Sequence, residues 1–324
     1  MKVSARANSN LALVKYWGKY DSNIKTPMND NLAMVLDALH TTTTVEFGDY
    51  NQDKIILNGE DASDDKKILG HIDRIRERAG IDKNAKVVSE NNFPTAAGLA
   101  SSASGLSALT IAGCKAAGLD LGKKELSMIS RKGSGSSSRS IYGGFVEWRA
   151  AAHDKDSYAI QVKDEDWMDI RDVVAVVEES EKSVGSTAGM ATTIENCPLY
   201  QGRQADVHKN LMEVRAGILD KDFERIGKYS EYDSLSMHAT MMTTRPPLVY
   251  WAGGTVEVIH LVEKLREEGI PAYHSIDAGP NVQVLTLPEY EDEVKKRIEE
   301  IPQVQRTITS GIGKGARELD DHLF

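Results

Sequence analysis

The sequence contains a turn made almost entirely of small residues at 94–105, PTAAGLASSASG. An apolar run at 85–89 precedes it, and residues 106–118 follow with a helical pattern, so we predict a strand, a turn and a helix. Glycine and serine leave backbone N–H groups accessible, and the positive end of a helix dipole favours an anion. Close packing of two elements selects the same small residues and is the commoner explanation for an isolated turn. The turn is therefore a candidate phosphate site that requires support from elsewhere in the chain.

Composition limits the classes of function. The 324 residues suffice for one large or two medium domains, and the net charge of −10 argues against a nucleic-acid or anionic-membrane partner. The apolar runs fall short of the roughly 18 residues of a membrane span. The first residues do not resemble a signal peptide, and two cysteines are too few for a disulfide framework. We therefore expect a cytoplasmic protein with neither a nucleic-acid nor a membrane partner.

Strand and helix patterns alternate through the first half of the chain. The spacing of Ile68, Ile72 and Ile75 predicts a helix over 66–79, and Asn58-Gly59 predicts a hairpin turn. β-Branched and alternating residues predict strands at 3–7, 11–17, 41–47, 55–57, 142–148 and 158–162.

The pattern resets near residue 171. A buried strand is predicted at 173–177, a hairpin at 272–276 and 282–287, and a last strand around Thr307. Helices are predicted near 206–218, 221–230, 255–268 and 289–300. We interpret this as an α+β protein with two lobes, at 1–170 and 171–324, and a cleft between them.

Three further segments carry polar groups. Lys15-Tyr-Trp-Gly-Lys19 places two cations beside two aromatic rings, although solvated lysines at a strand end would give the same pattern. Residues 131–144 form a Ser/Gly run bracketed by cations, which is either a flexible linker or a set of donors for a phosphorylated carboxylate. Asp277 lies in a turn, where it either caps its own backbone or faces a substrate hydroxyl. His238 lies within a helical pattern, and we interpret it as a packed histidine rather than a base.

Together these segments resemble the mevalonate-pathway decarboxylases of the GHMP kinase superfamily over nearly the whole chain. The turn at 94–105 matches the superfamily's phosphate loop, and residues 10–19 and 27–32 match the family's opening strand and the loop after it. Residues 133–139 and 277–281 match motifs that are specific to the decarboxylases. The resemblance implies a GHMP-kinase-like fold with an N-terminal ribosomal-protein-S5-like lobe, containing a left-handed β-α-β crossover, and a ferredoxin-like C-terminal lobe. It also implies a substrate in the cleft between the lobes.

The resemblance implies a role for each matching residue. Arg139 would hold the substrate carboxylate, Asp277 would orient or deprotonate the C3 hydroxyl, and Lys15 would lie beside Asp277. Substrate-binding residues would be Asn10, Tyr16, Lys19, Ser134 and Ser136. The phosphates of ATP would be bound by Gly98, Ala100, Ser101, Ser102 and Ala103, with Mg²⁺ at Ser102.

The reaction implied is ATP-dependent phosphorylation of C3, followed by loss of phosphate and CO₂ to give an isopentenyl product. Mevalonate 5-diphosphate, mevalonate 5-phosphate and mevalonate 3,5-bisphosphate all stay open as substrates, and the last would need no ATP. Residues 195–197, Glu-Asn-Cys, depart from the Glu/Asp-Thr-Ser of the diphosphate enzymes. Four other segments look more like the archaeal branch that takes a 5-monophosphate: residues 41–47, 233–243, 249–251 and 323–324. The rivals are a kinase that stops after phosphorylation and a non-catalytic phospholigand-binding protein. Homologous folds suggest a homodimer.

Overall fold

A computed structural model describes residues 1–93, 101–180 and 184–324. The first lobe is formed around a mixed sheet in which the order β14-β1-β4-β7-β5-β6 is extended by β8 beside β4 and β9 beside β8. A short hairpin, β2–β3, lies apart from this sheet. The strands are β1 (Lys2–Val14), β2 (Lys19–Asp21), β3 (Thr26–Pro27), β4 (Asn31–Gly48), β5 (Lys54–Leu57), β6 (Glu60–Asp61), β7 (Asn84–Asn91), β8 (Phe145–Trp148), β9 (Ala159–Lys163) and β14 (Arg317–Leu319).

Helices cover one face of this sheet. They are α1 (Lys66–Ala79), α2 (Ser101–Ala116), α3 (Lys123–Gly133) and α4 (Ser137–Ser140). Helix α1 connects the parallel strands β5 and β7. It has the predicted bounds because the Asp65 side chain accepts the first free backbone N–H groups and Gly80 ends it with a left-handed φ of 64°.

The second lobe contains a four-stranded antiparallel sheet, among the residues that the structure describes, with the order β11-β12-β10-β13. Helix α8 links β10 to β11 and α9 links β12 to β13, which is the ferredoxin-like arrangement, while α5–α7 are inserted after β10. The elements are β10 (Arg171–Val176), α5 (Ser186–Asn196), α6 (Tyr200–Asp220), α7 (Phe223–Met242), α8 (Gly253–Glu267), β11 (Ala272–Ser275), β12 (Val282–Thr286), α9 (Glu291–Glu299) and β13 (Arg306–Ser310).

The α+β prediction with two lobes is confirmed by this architecture. One apolar cluster joins the lobes, since Leu13 and Leu32 of the first sheet pack with Val174 and Leu285 of the second. The final strand β14 pairs with β1, so the end of the chain returns to the first lobe. The division at 170/171 stays a prediction. No helix within the described ranges is long and apolar enough to cross a membrane.

Several predicted bounds were wrong where buried residues are polar. The strands expected at 3–7 and 11–17 are the single strand β1, which ends at Val14, so Lys15 begins a loop. Buried Asn8 and Asn10 interrupt the apolar alternation, although pairing with β4 continues through an irregularity between them. Strand β8 begins at Phe145 rather than 142. Helices α6 and α7 are longer than predicted because buried polar side chains conceal their periodicity.

Candidate active site

A cleft of about 560 Å³ lies between the lobes. The charged residues that line it, within the described ranges, are five cations and one carboxylate: Lys15, Lys19, Lys25, Lys67, Arg139 and Asp277. The cleft is therefore positive although the chain carries a net charge of −10. This local positive charge attracts an anionic ligand to the cleft, even though the protein as a whole is acidic.

The centre of the cleft is an ion pair between the lobes. Lys15, in the loop after β1, donates from Nζ to Asp277 Oδ1 at 2.7 Å and to the Ala12 carbonyl at 2.8 Å. The Lys15 side chain is 1% exposed, whereas that of Asp277 is 26% exposed. Burial lowers the pKa of Lys15, and the Asp277 carboxylate opposes that change. The ammonium group is thus held by a carboxylate whose other edge faces the cleft.

Arg139 lies beside this pair on the short helix α4 and is 3% exposed. Its guanidinium donates from Nε to Asn10 Oδ1 at 3.0 Å and from Nη1 to Asn31 Oδ1. Burial lowers its pKa to about 10, opposed by Asp277, so it stays charged at neutral pH. Its two asparagine acceptors are neutral, so the guanidinium can still bind the carboxylate of a ligand.

A turn of serines forms the next wall of the cleft. Ser134 Oγ lies 3.3 Å from both Ser102 Oγ and Ser136 Oγ, so the candidate phosphate-loop helix and the Ser/Gly run meet at their hydroxyl groups. Gly135 permits this approach, since a Cβ there would lie 2.6 Å from Trp148 and 2.8 Å from Tyr16 ring carbons. The run at 131–144 is therefore folded and packed, which excludes the flexible-linker reading.

Tyr16 extends this wall. Its ring packs against Trp148 with centroids 4.8 Å apart, and its buried hydroxyl has no hydrogen-bond partner among the described residues. A buried hydroxyl without a partner is costly unless a ligand satisfies it. The position of Tyr16 on the cleft agrees with its predicted role in substrate binding.

Three lysines occupy one end of the cleft: Lys19, Lys25 and Lys67. Lys25, at the turn of the β2–β3 hairpin, donates from Nζ to the Gly133 carbonyl at 2.7 Å. Burial first, and then the neighbouring cations Lys67 and Lys19, lower its pKa to about 8. None of the three forms an ion pair within the described part of the chain. Asp65 opposes the effect of burial on Lys67, but the pKa values of all three lysines are still lowered, and such a cluster of partly buried cations favours an anionic ligand.

The predicted nucleotide residues lie partly within the structure. Ser101, Ser102 and Ala103 form the first turn of α2, and both serines line the cleft. Gly98 and Ala100 lie outside the described residues. A second cavity of about 190 Å³ shares Lys67, Ser101 and Ser102 with the cleft and is otherwise lined by residues that include Leu57, Ile68, Leu106 and Leu109. Its apolar wall next to a helix N-terminus has the chemistry of a nucleobase slot beside a phosphate site.

The structure brings together most of the predicted site. Lys15, Tyr16, Lys19, Ser134, Ser136, Arg139 and Asp277 all line the cleft. Asn10 lies behind Arg139 and also donates to Ser140 Oγ at 2.8 Å, so it supports the guanidinium. Glu195 and Asn196 end helix α5 and do not line the cleft. No group of three or more His, Cys, Asp or Glu residues suited to a metal occurs in the described ranges.

Lys25 and Lys67 were not predicted from the sequence, and Asn31, within the matching segment 27–32, was given no role. The only sequence signal of the two lysines is a charge next to a turn or a helix start, which is common on protein surfaces. Their convergence on the cleft depends on tertiary structure.

Two family models match the chain. The diphosphomevalonate decarboxylase-like N-terminal domain matches residues 7–159, and the mevalonate 5-diphosphate decarboxylase C-terminal domain matches residues 172–319. A phosphomevalonate decarboxylase from Haloferax volcanii is 34% identical, over 99% of this chain and 98% of the relative.

Solved structures agree with these matches. Mevalonate diphosphate decarboxylase from Staphylococcus aureus has a TM-score of 0.94 and 39% identity, over 98% of each chain. A structure of MDDEF in complex with MVAPP, AMPPCP and magnesium has a TM-score of 0.93 and 39% identity, over 99% of each chain. The cleft, its buried ion pair and these matches agree, and the chain belongs to the diphosphomevalonate decarboxylase family, with that family's GHMP-kinase-like two-domain fold.

Proposed function

We propose that this chain is a carboxy-lyase that converts a 5-phosphorylated mevalonate to an isopentenyl product in isoprenoid biosynthesis, with phosphorylation of the C3 hydroxyl preceding loss of phosphate and CO₂. The observation that carries the proposal is the buried Lys15–Asp277 pair beside the guanidinium of Arg139, whose side-chain acceptors are neutral asparagines. A hydroxyl, a carboxylate and a phosphate tail are the groups that this arrangement can hold at the same time.

Each group has a defined task. Asp277 accepts the proton of the C3 hydroxyl, and Lys15 orients the aspartate by donating to its Oδ1. Arg139 binds the C1 carboxylate and fixes its plane. When the C3–O bond breaks, its electrons leave with phosphate and positive charge grows at C3. The C1–C2 bond then supplies the electron pair of the new alkene as CO₂ departs, and cations around the cleft stabilise the leaving phosphate.

ATP with Mg²⁺ supplies the phosphoryl group for C3 when bound. Ser101, Ser102 and the amides of 98–103 would bind its phosphates, with Ser102 at the metal, and the slot beside Leu106 and Leu109 would accept the base. The bound AMPPCP and magnesium of MDDEF support ATP use. The slot also favours ATP use over an ATP-independent 3,5-bisphosphate decarboxylase, whose leaving group is already present in the substrate.

The 5-phosphate end of the substrate would lie against Tyr16, Lys19, Ser134 and Ser136, with Lys25 as an additional cation. The names of two relatives differ in the length of this phosphate tail: the Haloferax volcanii relative is named for a monophosphate and the Staphylococcus aureus structure for a diphosphate. We propose a mono- or diphosphate at C5. We also propose that the protein is a homodimer and is located in the cytoplasm. Light scattering measures the oligomeric state directly.

A substrate panel tests the function. The protein is incubated with mevalonate 5-phosphate, 5-diphosphate or 3,5-bisphosphate, each with and without ATP and Mg²⁺, while CO₂ and ADP are measured. The proposal expects equimolar CO₂ and ADP from a 5-phosphate or a 5-diphosphate. ADP without CO₂ would identify a kinase, CO₂ without ATP would identify the bisphosphate enzyme, and no turnover of any substrate would leave a binding protein.

A further inference from the structure

The Lys15–Asp277 pair is formed by two segments that have no regular structure. Lys15 follows the end of β1, and Asp277 lies in the turn between β11 and β12. Neither strand ladder fixes these residues, so the 2.7 Å contact between their side chains requires external support. The support comes from one face of helix α7.

Asp233 of α7 holds the backbone of Lys15. Its Oδ2 accepts the Lys15 N–H at 2.6 Å, and its side chain is fully buried. Arg203 of α6 donates from Nη1 to Asp233 Oδ1 at 3.1 Å and from Nη2 to the Lys15 carbonyl at 3.3 Å. Asn29 donates to the same carbonyl at 3.2 Å. Both backbone groups of Lys15 are thus bound by side chains.

The next residues on this helix hold the backbone at Asp277. Ser234 Oγ accepts the N–H of Ile276 at 2.8 Å and lies 3.2 Å from the Ile276 carbonyl. His238 Nε2 lies 3.2 Å from the same carbonyl, which can only accept, so Nε2 is the donor. Ser234 and His238 are four residues apart and share one helix face. Asp233 is one residue before Ser234, so its side chain points to one side of that face, towards Lys15.

His238 acts here as a neutral ring. Burial is the main cause that lowers its pKa to about 3, and its ring lies 5.1 Å from that of Trp251. A neutral histidine with its proton on Nε2 is a fixed donor throughout the neutral pH range. This confirms the expectation of a packed histidine and gives its ring a defined contact.

We propose that Asp233, Ser234 and His238 are positioning residues that set the alignment of Lys15 and Asp277 by binding the backbone of each catalytic segment. They act through Lys15 and Asp277 and need not touch the substrate. The inference rests on the proposed function only in taking that ion pair as the reacting centre.

Ser234→Ala tests the proposal, with Ser230→Ala as its matched control. Both serines are fully buried on α7, but the hydroxyl of Ser230 has no partner among the described residues. We expect Ser234→Ala to lower kcat about 10- to 100-fold with little change in KM, because small misplacements of reacting groups cost this much. Ser230→Ala should keep the wild-type kcat.

His238 provides the rescue experiment. His238→Leu should lower kcat to a similar extent, and His238→Gln should restore most of it because the glutamine amide can donate to the same carbonyl. Thermal melting shows whether each variant is folded. If His238→Leu does not fold, the comparison of Ser234→Ala with Ser230→Ala tests the proposal.

A second readout does not depend on turnover. The titration of Lys15 Nζ, followed by NMR of the ligand-free protein, should shift in Ser234→Ala and stay unchanged in Ser230→Ala. Equal kcat values and equal titrations in the two serine variants would overturn the proposal. Absence of turnover by the wild type would refute the proposed function instead, and the NMR comparison would still test the alignment.

Discussion

Removing the charge of Asp277 is the most informative perturbation of the centre. In Asp277→Asn the side chain keeps its size, but Lys15 loses the carboxylate that lies 2.7 Å from its Nζ. Two effects follow. The C3 hydroxyl loses its proton acceptor, and the buried ammonium loses the partner that opposes the effect of burial on its pKa.

The magnitude follows from the contact distance and exposure. Two unit charges about 4 Å apart interact by about 4 kcal/mol at an effective dielectric constant of 20. The Asp277 side chain is 26% exposed, so water screens part of this and we take about 2 to 4 kcal/mol. Loss of this attraction would lower the pKa of Lys15 further, so the ammonium group would become neutral over more of the working pH range. We therefore expect kcat to fall by about 10²-fold or more.

The assay measures CO₂ and ADP at saturating substrate and ATP from pH 6 to 9. Asp53→Asn is the matched control, because Asp53 pairs with Arg76 at 2.6 Å outside the cleft and also accepts the Ala85 N–H. It should lower the melting temperature and leave kcat unchanged. An Asp277→Asn protein that is folded and turns over at the wild-type rate would refute the reasoning.

Three further predictions concern binding and stability. Lys25→Gln should lower kcat/KM for the mevalonate phosphate about tenfold. In the wild type we expect kcat/KM to decline above pH 8, because Lys25 loses its proton near its pKa of about 8, and the variant should lack this decline. A pH profile of kcat/KM measures both effects. Gly135→Ala should raise KM for the mevalonate phosphate about tenfold in initial-rate assays without changing KM for ATP, because the new Cβ meets two aromatic rings at 2.6 and 2.8 Å. His71, His238 and His274 have pKa values lowered by burial to about 3, 3 and 4, so the stability they confer is complete above pH 6.5 and is lost as pH falls below it. Urea unfolding at pH 7 and pH 5 should show a loss of up to about 2 kcal/mol per histidine, and an acid-independent free energy of unfolding would contradict this.

Regular apolar periodicity made part of the fold predictable. Helix α1 has its predicted bounds because Ile72 and Ile75 face the core at helical spacing and a glycine follows its last residue. The hairpin of β11 and β12 was also predicted, since each strand is a short apolar run and a turn separates the two. In contrast, α7 extends twelve residues beyond its predicted end at 230. Its buried face uses Asp233 and His238, and their pairing partners lie at least 30 residues away in sequence.

The residues of the site also divide into those that the sequence could predict and those that it could not. Lys15, Arg139 and Asp277 lie in motifs that could be matched to a family, and their positions on the cleft follow from that match. Lys25 could not be found, because its position depends on a hairpin turn that brings its ammonium to the Gly133 carbonyl, 108 residues away. Side chains that reach the cleft from a separate hairpin have no local pattern to reveal them.

A crystal structure with mevalonate 5-phosphate and a non-hydrolysable ATP analogue tests the central claim most directly. The account predicts the C1 carboxylate on the guanidinium of Arg139, the C3 hydroxyl within hydrogen-bond distance of Asp277, and the phosphate among Lys19, Lys25 and the serines of the turn. A substrate bound with its carboxylate away from Arg139, or with C3 out of reach of Asp277, would contradict it.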